Sequence, residues 1–528
     1  MNKQRTRQLL PALAALLLGA MLTLAFAPYD IFPLAIIAPA GLLGLWLPVS
    51  ATRAGWLGFL FGIGFFGTGI YWVFHSIHVF GNVPPLPAGL ITGGLIAILA
   101  IFPALTGYFF NRYLPLTNTK ILLFFPALWV FSEWLRSFLF TGFPWLLVGY
   151  SQIHTPLKGY APLMSVYGVS LVTLLSSTII VNLIRHARAQ KNLVNLNVYL
   201  HLFALAMIWL VGGAVSIINW TKPTGNPITV SLVQGNIAQA VKWSPEYLQL
   251  SLNTYENLTK PLWGKSQLII WPEAAIPLPL TQASSFIEKM NREALKSGST
   301  LIFGIPIEAA QGGYYNAIAT VGKEKIVYLK RRLVPFGEYI PFSHYSSYFL
   351  NFMDIPMANM VPGKMRQKPF ILHTGEEEIK ILPAICYEIA FPMLMYSNDS
   401  TIGLVLTVNN DAWFGDSSAQ AQHVQMAAMR ALELSRPVIF LSNDGITAII
   451  DAAGTITAAA PVRTTYVLNS IVQPRSGLTP WMQYSLNPVL ALLLFFLWIP
   501  IALHIMDKIA KRQKQRAEQQ LNPRPPQV

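Results

Sequence analysis

Over its first 220 residues the chain alternates long, nearly charge-free apolar runs with short polar gaps, a pattern unlike that of strands or surface helices. A bilayer core takes a helix of about 20 such residues, because backbone polar groups there must be satisfied within the segment. Seven runs predict spanning helices: Leu9–Phe26, Ile31–Leu47, Ala54–Phe74, Leu86–Tyr108, Ile121–Phe140, Leu163–Ile184 and Leu200–Ile218. An eighth, Pro488–Met506, comes near the C-terminus. The second is short and carries prolines. The first also fits a secretory leader, with its basic start and Ala25-Phe-Ala27, but Pro28 and a further apolar run at once favour a retained helix.

From Ile228 the pattern shortens. Ile228–Val233, Gln267–Trp271, Thr300–Ile305, Tyr315–Val321, Ile326–Lys330, Ile379–Ile385, Gly403–Val408, Val438–Leu441, Thr447–Ile450 and Thr465–Ile471 read as strands. Pro245–Thr259, Ser284–Ser297 and Ser418–Ser435 read as helices, the last with Met426, Met429 and Leu432 along one stripe. Strands interleaved with helices predict an α/β layered domain, and roughly 260 residues make one large domain. The expected organisation is a transmembrane bundle over 1–220, an extramembrane domain over 221–484, a last spanning helix over 485–507 and a basic tail over 508–528.

Composition agrees: 53% of residues are hydrophobic and only 11% charged, against about 25% charged in soluble domains. A net charge of +14 suggests nucleic acid until the charges are located. Lys3, Arg5 and Arg7 precede the first run, and Lys508, Lys511, Arg512, Lys514 and Arg516 follow the last. Others gather at Arg53, Arg112, Lys120, Arg185, Arg188 and Lys191, in alternate gaps, while the remaining gaps hold Lys158 alone. That asymmetry is a membrane protein's cytoplasmic bias, not a nucleic-acid footprint. It predicts both termini in the cytoplasm and the domain outside. In a bacterium that means an inner-membrane protein with a periplasmic domain, where a lone thiol has no internal partner to mispair with.

The candidate chemistry lies where strands stop, the place where α/β sheets display it. One strand runs into Pro272-Glu273, another into Lys330, and a third into Cys386, the single cysteine of the chain. A carboxylate, an amine and a thiol suggest a nucleophile with a base and a cationic stabiliser, since a free thiol is only a few per cent ionised near neutral pH. Taken singly, each has a duller reading: a solvated loop acid, part of a basic run with Arg331 and Arg332, and a small core side chain. Zinc spacing, a Gly-x-Ser-x-Gly elbow, a Walker loop and a dinucleotide fingerprint are all missing from the sequence. In the bundle, Glu133 and Arg136 lie three apart on one helical face and are expected to pair inside it, with lipid-headgroup binding as the alternative. The turn Thr141-Gly-Phe-Pro-Trp145 reads as an interfacial anchor.

Trp271-Pro-Glu-Ala-Ala-Ile-Pro277, Leu329-Lys-Arg-Arg-Leu-Val-Pro-Phe-Gly-Glu-Tyr-Ile-Pro341, Cys386-Tyr-Glu-Ile389 and Asn409-Asn-Asp-Ala-Trp-Phe-Gly415 resemble the nitrilase superfamily. Within it they resemble the apolipoprotein N-acyltransferase family of Gram-negative bacteria. Val233-Gln-Gly-Asn-Ile237 with Trp243, and Met429-Arg-Ala-Leu-Glu433 with Arg436-Pro437, also match. The resemblance implies an αββα sandwich for the domain. It implies Glu273 as general base, Lys330 as oxyanion stabiliser and Cys386 as nucleophile, with Glu338, Tyr387, Glu388 and Trp243 in support.

The resemblance further implies that an acyl chain passes from phosphatidylethanolamine, through a cysteine thioester, to the N-terminal amine of diacylated apolipoproteins. A thioester is energetic enough to acylate an amine, so no cofactor is expected. Trp413 and Phe414 read either as walls of an acyl cavity or as core packing. Pro341–Met353, running on through Met357 and Met360, is aromatic and poor in charge, and reads as an interfacial lid or as packing over the domain. Two other classes compete. A membrane-anchored amidase would release free acid. A transporter would need polar lines or broken helices through spans that are nearly devoid of charge.

Overall fold

The computed structural model describes residues 3–189, 195–335, 337–339, 359–374 and 377–521. Every apolar run falls on a helix. Among the described residues, four helices are long and apolar enough to cross a bilayer: Pro85–Arg112, Pro156–Arg188, Leu196–Ser216 and Asn487–Glu518. Ala51–Gly69 and Trp72–Phe80, joined at a bend of 55°, together pass the same test. Leu34–Trp46 is shorter than its run suggests; its 13 residues rise about 20 Å, less than the roughly 30 Å of a hydrocarbon core.

The helix Ala161–Ala189 sits at the centre of the bundle, while Leu196–Ser216 fully buries only Gly212, packs Ile208 and Trp209 on the bundle and leaves much of its remaining surface apolar and exposed. Glu133 and Arg136 differ from expectation. Rather than pairing with each other, each is spent on the turn that follows. Glu133 Oε1 accepts from the Val148 N–H at 2.8 Å and the Trp129 indole at 3.3 Å, and Arg136 Nη1 donates to the carbonyls of Phe143 (2.9 Å) and Trp145 (2.6 Å). Irregular backbone at the edge of a bundle needs such partners, because lipid offers none.

The domain is built on two six-stranded sheets. In the first the order is Tyr466–Val472, Ile228–Gln234, Leu268–Ile270, Thr300–Glu308, Tyr314–Val321 and Val327–Leu329. In the second it is Ile456–Ala459, Ala448–Ile450, Val438–Ser442, Ile402–Asn409, Glu377–Ile385 and Phe370–Thr374. The middle strands of each are parallel and the edges antiparallel. Leu232, Ile270, Ile302 and Ile318 from one sheet meet Ile381, Leu406, Val408 and Ile439 from the other in a shared core.

Helices Pro245–Thr259 and Ser284–Ser297 cover the outer face of the first sheet, through Tyr255, Met290 and Ala294 against Trp271, Leu301 and Phe303. Ala419–Leu434 covers the second sheet with one side and meets the bundle with the other. A helix buried all round must be small or apolar almost everywhere, and its Ala427, Ala428, Met429 and Ala431 meet that need. Its polar residues are tied across the boundary: Glu433 Oε1 accepts from Ser165 Oγ at 2.5 Å and the Val166 N–H at 2.8 Å.

Candidate active site

The sheet topology brings the chemistry together. Leu268–Ile270 and Glu377–Ile385 are both parallel strands, and their carboxyl ends release Glu273 and Cys386 on the same side of the sandwich. Lys330 follows the edge strand Val327–Leu329. Gly304 makes the approach possible. A Cβ there would stand 2.4 Å from the Ala274 nitrogen and 2.7 Å from the Glu273 Cα, so only glycine lets strand Thr300–Glu308 lie against the Pro272–Ala274 turn.

Lys330 Nζ lies 3.3 Å from Glu273 Oε1 and 2.8 Å from Glu338 Oε1, and is 1% exposed. The amide nitrogen of Asn316 donates to the same two oxygens, at 2.7 and 2.9 Å. Glu338 is fixed in turn by the Val334 N–H at 2.8 Å on its other oxygen. Burial lifts the Glu273 carboxyl, but Lys330, Asn316 and Lys242 outweigh it and hold it below the ordinary value. Burial likewise works against the Lys330 ammonium, and the carboxylates of Glu273 and Glu338 overcome it, so its pKa is raised. Glu273 and Lys330 therefore share a dry site in their charged forms, which is tolerable only because each is paired.

Cys386 is 8% exposed and opens the short turn Cys386–Ala390 with φ of +52°, a left-handed conformation that L-residues adopt at a cost of about 1–2 kcal/mol. Burial first, and then the negative charge of Glu273, push its thiol well above the usual range, against the pull of Lys330 and of the Asn410 N–H. At rest the sulfur holds its proton and Glu273 does not.

Glu388 holds the turn. Its Oε2 accepts from the Ile385 N–H and the Tyr328 hydroxyl, both at 2.8 Å, and its Oε1 from the N–H groups of Arg331 at 2.6 Å and Arg332 at 3.2 Å. One carboxylate thus ties the thiol-bearing turn to the loop that carries Lys330. The Cys386 carbonyl accepts from His423 Nε2 at 3.1 Å, and His423 Nδ1 faces Asp411 Oδ1 at 3.0 Å.

The remaining candidates divide by place. Tyr387 turns toward the bundle, its hydroxyl donating to the Gly142 carbonyl at 3.0 Å. Trp413 packs edge-on to Phe80, and its carbonyl takes the Ser76 hydroxyl at 2.6 Å. Phe414 lies among Trp72, Trp145 and His423. Trp243, like Tyr339, packs against the pair Leu333 and Met360, beside the loop that carries Glu338. Phe349 and Phe352, with the rest of the expected lid up to Met357, lie outside the described residues.

Sequence reasoning passed over Lys242, Asn316 and the His423–Asp411 pair. Lys242 is wholly buried and its Nζ donates to the Glu273 carbonyl at 2.9 Å. Burial pushes its pKa down to about 8, against Glu273, Asp444 and Cys386. Asn316 does leave a signal, a polar residue on the inward face of an apolar strand. Lys242 leaves none, since its segment reads as an ordinary loop.

Known proteins bear on this arrangement. Residues 18–179 match the model of the apolipoprotein N-acyltransferase N-terminal domain, and residues 229–478 that of carbon-nitrogen hydrolases. The chain is 40% identical over 486 residues to the apolipoprotein N-acyltransferase of Coxiella burnetii, covering 92% of this chain and 98% of that one. It is 39% identical to that of Azotobacter vinelandii, covering 92% and 93%, and 36% identical to that of Vibrio parahaemolyticus, covering 93% and 95%.

Proposed function

The chain belongs to the apolipoprotein N-acyltransferase family, and on that footing we propose that it transfers an acyl chain from phosphatidylethanolamine to the N-terminal amine of diacylglyceryl-cysteine in apolipoproteins. The observation that carries the reading is the convergence of Glu273, Lys330 and Cys386 at three strand ends, beside a seam that joins the domain to the bundle.

The reaction runs in two steps. Glu273 takes the Sγ proton of Cys386 as the sulfur attacks the donor's sn-1 ester carbonyl. Lys330 meets the charge that grows on the carbonyl oxygen, a contribution worth about 10²–10³ in rate. The carbon–oxygen bond then breaks, Glu273 returns the proton to the departing lysophospholipid oxygen, and a thioester remains on Cys386. In the second step the acceptor amine attacks the thioester and gives up a proton to Glu273. The carbon–sulfur bond breaks, the sulfur recovers the proton and an amide leaves. A raised thiol pKa suits this order, since the thiolate forms only as attack begins.

The topology goes with it. The apolar runs are read as eight spans with both termini in the cytoplasm of a Gram-negative bacterium and the domain in the periplasm, where both lipid-anchored substrates reach it. The bundle occupies 1–220, the catalytic domain 221–484, the last span 485–507 and the tail 508–528. Tyr387, Trp413 and Phe414 then sit at the level of the headgroups.

Intact mass of the purified protein after incubation with phosphatidylethanolamine tests the donor step. The expected result is one added acyl chain, released by hydroxylamine and absent from Cys386→Ala. A Cys386→Ala variant that still makes amide product would overturn the nucleophile assignment. Free fatty acid in place of amide, with a lipidated peptide present, would favour the amidase reading.

A further inference from the structure

Where the chain passes from helix Leu196–Ser216 into the domain, a cleft of about 210 Å³ opens between the two. Lys158, Trp220 and Arg475 line it, together with Ser435 and Asp451. It is separate from the catalytic seam. Leu432 and Ser435 belong to the C-terminal end of the helix that bears His423, and the nine residues from His423 to Leu432 rise about 14 Å.

Three features of the wall are unspent. Lys158 is the one cation in the sequence gaps otherwise empty of Lys and Arg, and its ammonium meets a single distant acceptor among the described residues, the Ala453 carbonyl at 3.4 Å. Arg475 gives Nε and Nη2 to Thr221, at 2.8 and 2.6 Å, and a guanidinium has five donors. The buried Trp220 indole N–H has no partner among the described residues, and an unmade buried hydrogen bond is costly. The helix that leads into the cleft, Leu196–Ser216, exposes Leu202, Phe203 and Leu210, and the residue after it, Ile217, is exposed as well.

We propose that this cleft is a second lipid site, which holds the phosphate headgroup of a phospholipid whose acyl chains lie along Leu196–Ser216. The phosphodiester oxygens sit between Lys158 and Arg475 and accept from Trp220 Nε1. Two cations and an unpartnered N–H fit a phosphate, and the apolar helix that leads into the cleft fits the tails that a free phosphate lacks. Asp451 adds one carboxylate, already engaged by the N–H groups of Ala453 and Thr455, and leaves the wall with a net positive charge. The site is independent of the acyl-transfer reading. Its role is to seat the neck of the domain on the membrane.

The test uses the full chain in detergent and an ether-linked phosphatidylethanolamine with a photoreactive headgroup, which cannot donate an acyl chain. Labelled peptides are then mapped. The expected label falls on the segments around Lys158, Trp220 and Arg475. Unlabelled ether phospholipid should compete, whereas dialkylglycerol and inorganic phosphate should not. Lys158→Glu should lower labelling there about tenfold. Trp220→Phe, which keeps an aromatic ring but loses the N–H with the five-membered part of the indole, should lower it in the same direction.

Unchanged labelling in both variants would overturn the site. Equal competition by dialkylglycerol would reduce it to an apolar groove, and competition by inorganic phosphate alone would make it a free-anion site. Thioester formation on Cys386 is read in the same samples, so failure of the catalytic proposal shows separately.

Discussion

His423 Nε2 stands 3.1 Å from the carbonyl oxygen of Cys386, so a helix packed between the second sheet and the bundle fixes the backbone of the candidate nucleophile. The carbonyl can only accept, which makes Nε2 the donor, and the contact helps hold a cysteine at φ +52°. Replacing His423 by Phe puts a somewhat larger ring in its place and removes the contacts with both the Cys386 carbonyl and Asp411. Thioester formation should then slow by about tenfold or more, with the fold retained, since a buried acceptor left unpaired costs about 1–3 kcal/mol. His423→Gln, which keeps a donor, should recover part of the rate. A Phe variant that acylates within twofold of wild type would show that the turn holds itself.

Glu388 accepts four hydrogen bonds with two oxygens, and glutamine cannot reproduce them, because in either orientation its NH₂ group would face at least one backbone N–H. Glu388→Gln should therefore destabilise the protein by about 3 kcal/mol, as expected when a fully engaged buried charge is removed. The thermal midpoint in detergent checks this. A midpoint unchanged from wild type would mean that the turn does not depend on the carboxylate.

The alkaline behaviour of Lys242 can be isolated. Burial lowers its folded pKa to about 8, below the ordinary 10.5, so between those values the unfolded chain binds more protons than the folded one. Its contribution to stability therefore rises with pH across that interval. Lys242→Met removes the contribution, so the stability gained by the variant over wild type should be largest near neutral pH and shrink toward pH 10.5. Cys386, an acid with a raised pKa, acts in the opposite sense and interacts with Lys242, so both proteins carry Cys386→Ala for this comparison. Denaturant midpoints of the pair at several pH values decide it; a constant difference would mean that Lys242 does not titrate there.

Much of this was legible in the sequence, because strands buried on both faces read as apolar runs and their ends are marked by sudden polarity, as at Glu273, Lys330 and Cys386. Two edge strands, Phe370–Thr374 and Ile456–Ala459, were not. The second is mostly exposed and rich in Ala and Thr, so it lacks an apolar signature. Span count was also poorly legible, since composition marks an apolar segment but not where it bends or stops, as Leu34–Trp46 and the 55° break after Gly69 show. Asn316 and His423 escaped for another reason. Their partners lie far away in sequence, Glu273 and Glu338 for one and the Cys386 carbonyl for the other, and no local pattern encodes such meetings.

Phe414 separates acyl-cavity lining from packing. Its ring lies 4.8 Å from Trp72, 6.0 Å from Trp145 and 6.0 Å from His423, in near edge-on contacts that join the bundle to the helix behind Cys386. A wall of an acyl cavity would touch the chain of the donor, so its loss would weigh unequally on short and long chains. A packing residue acts through His423 and weighs on both alike. The three ring contacts favour the second role. Phe414→Ala should cost about 2 kcal/mol of stability, less than a fully buried ring because Phe414 is half-buried, and slow thioester formation from short-chain and long-chain donors by the same factor. Single-turnover rates across a donor series measure that factor directly, and a slowing that grows with chain length would return Phe414 to the cavity wall.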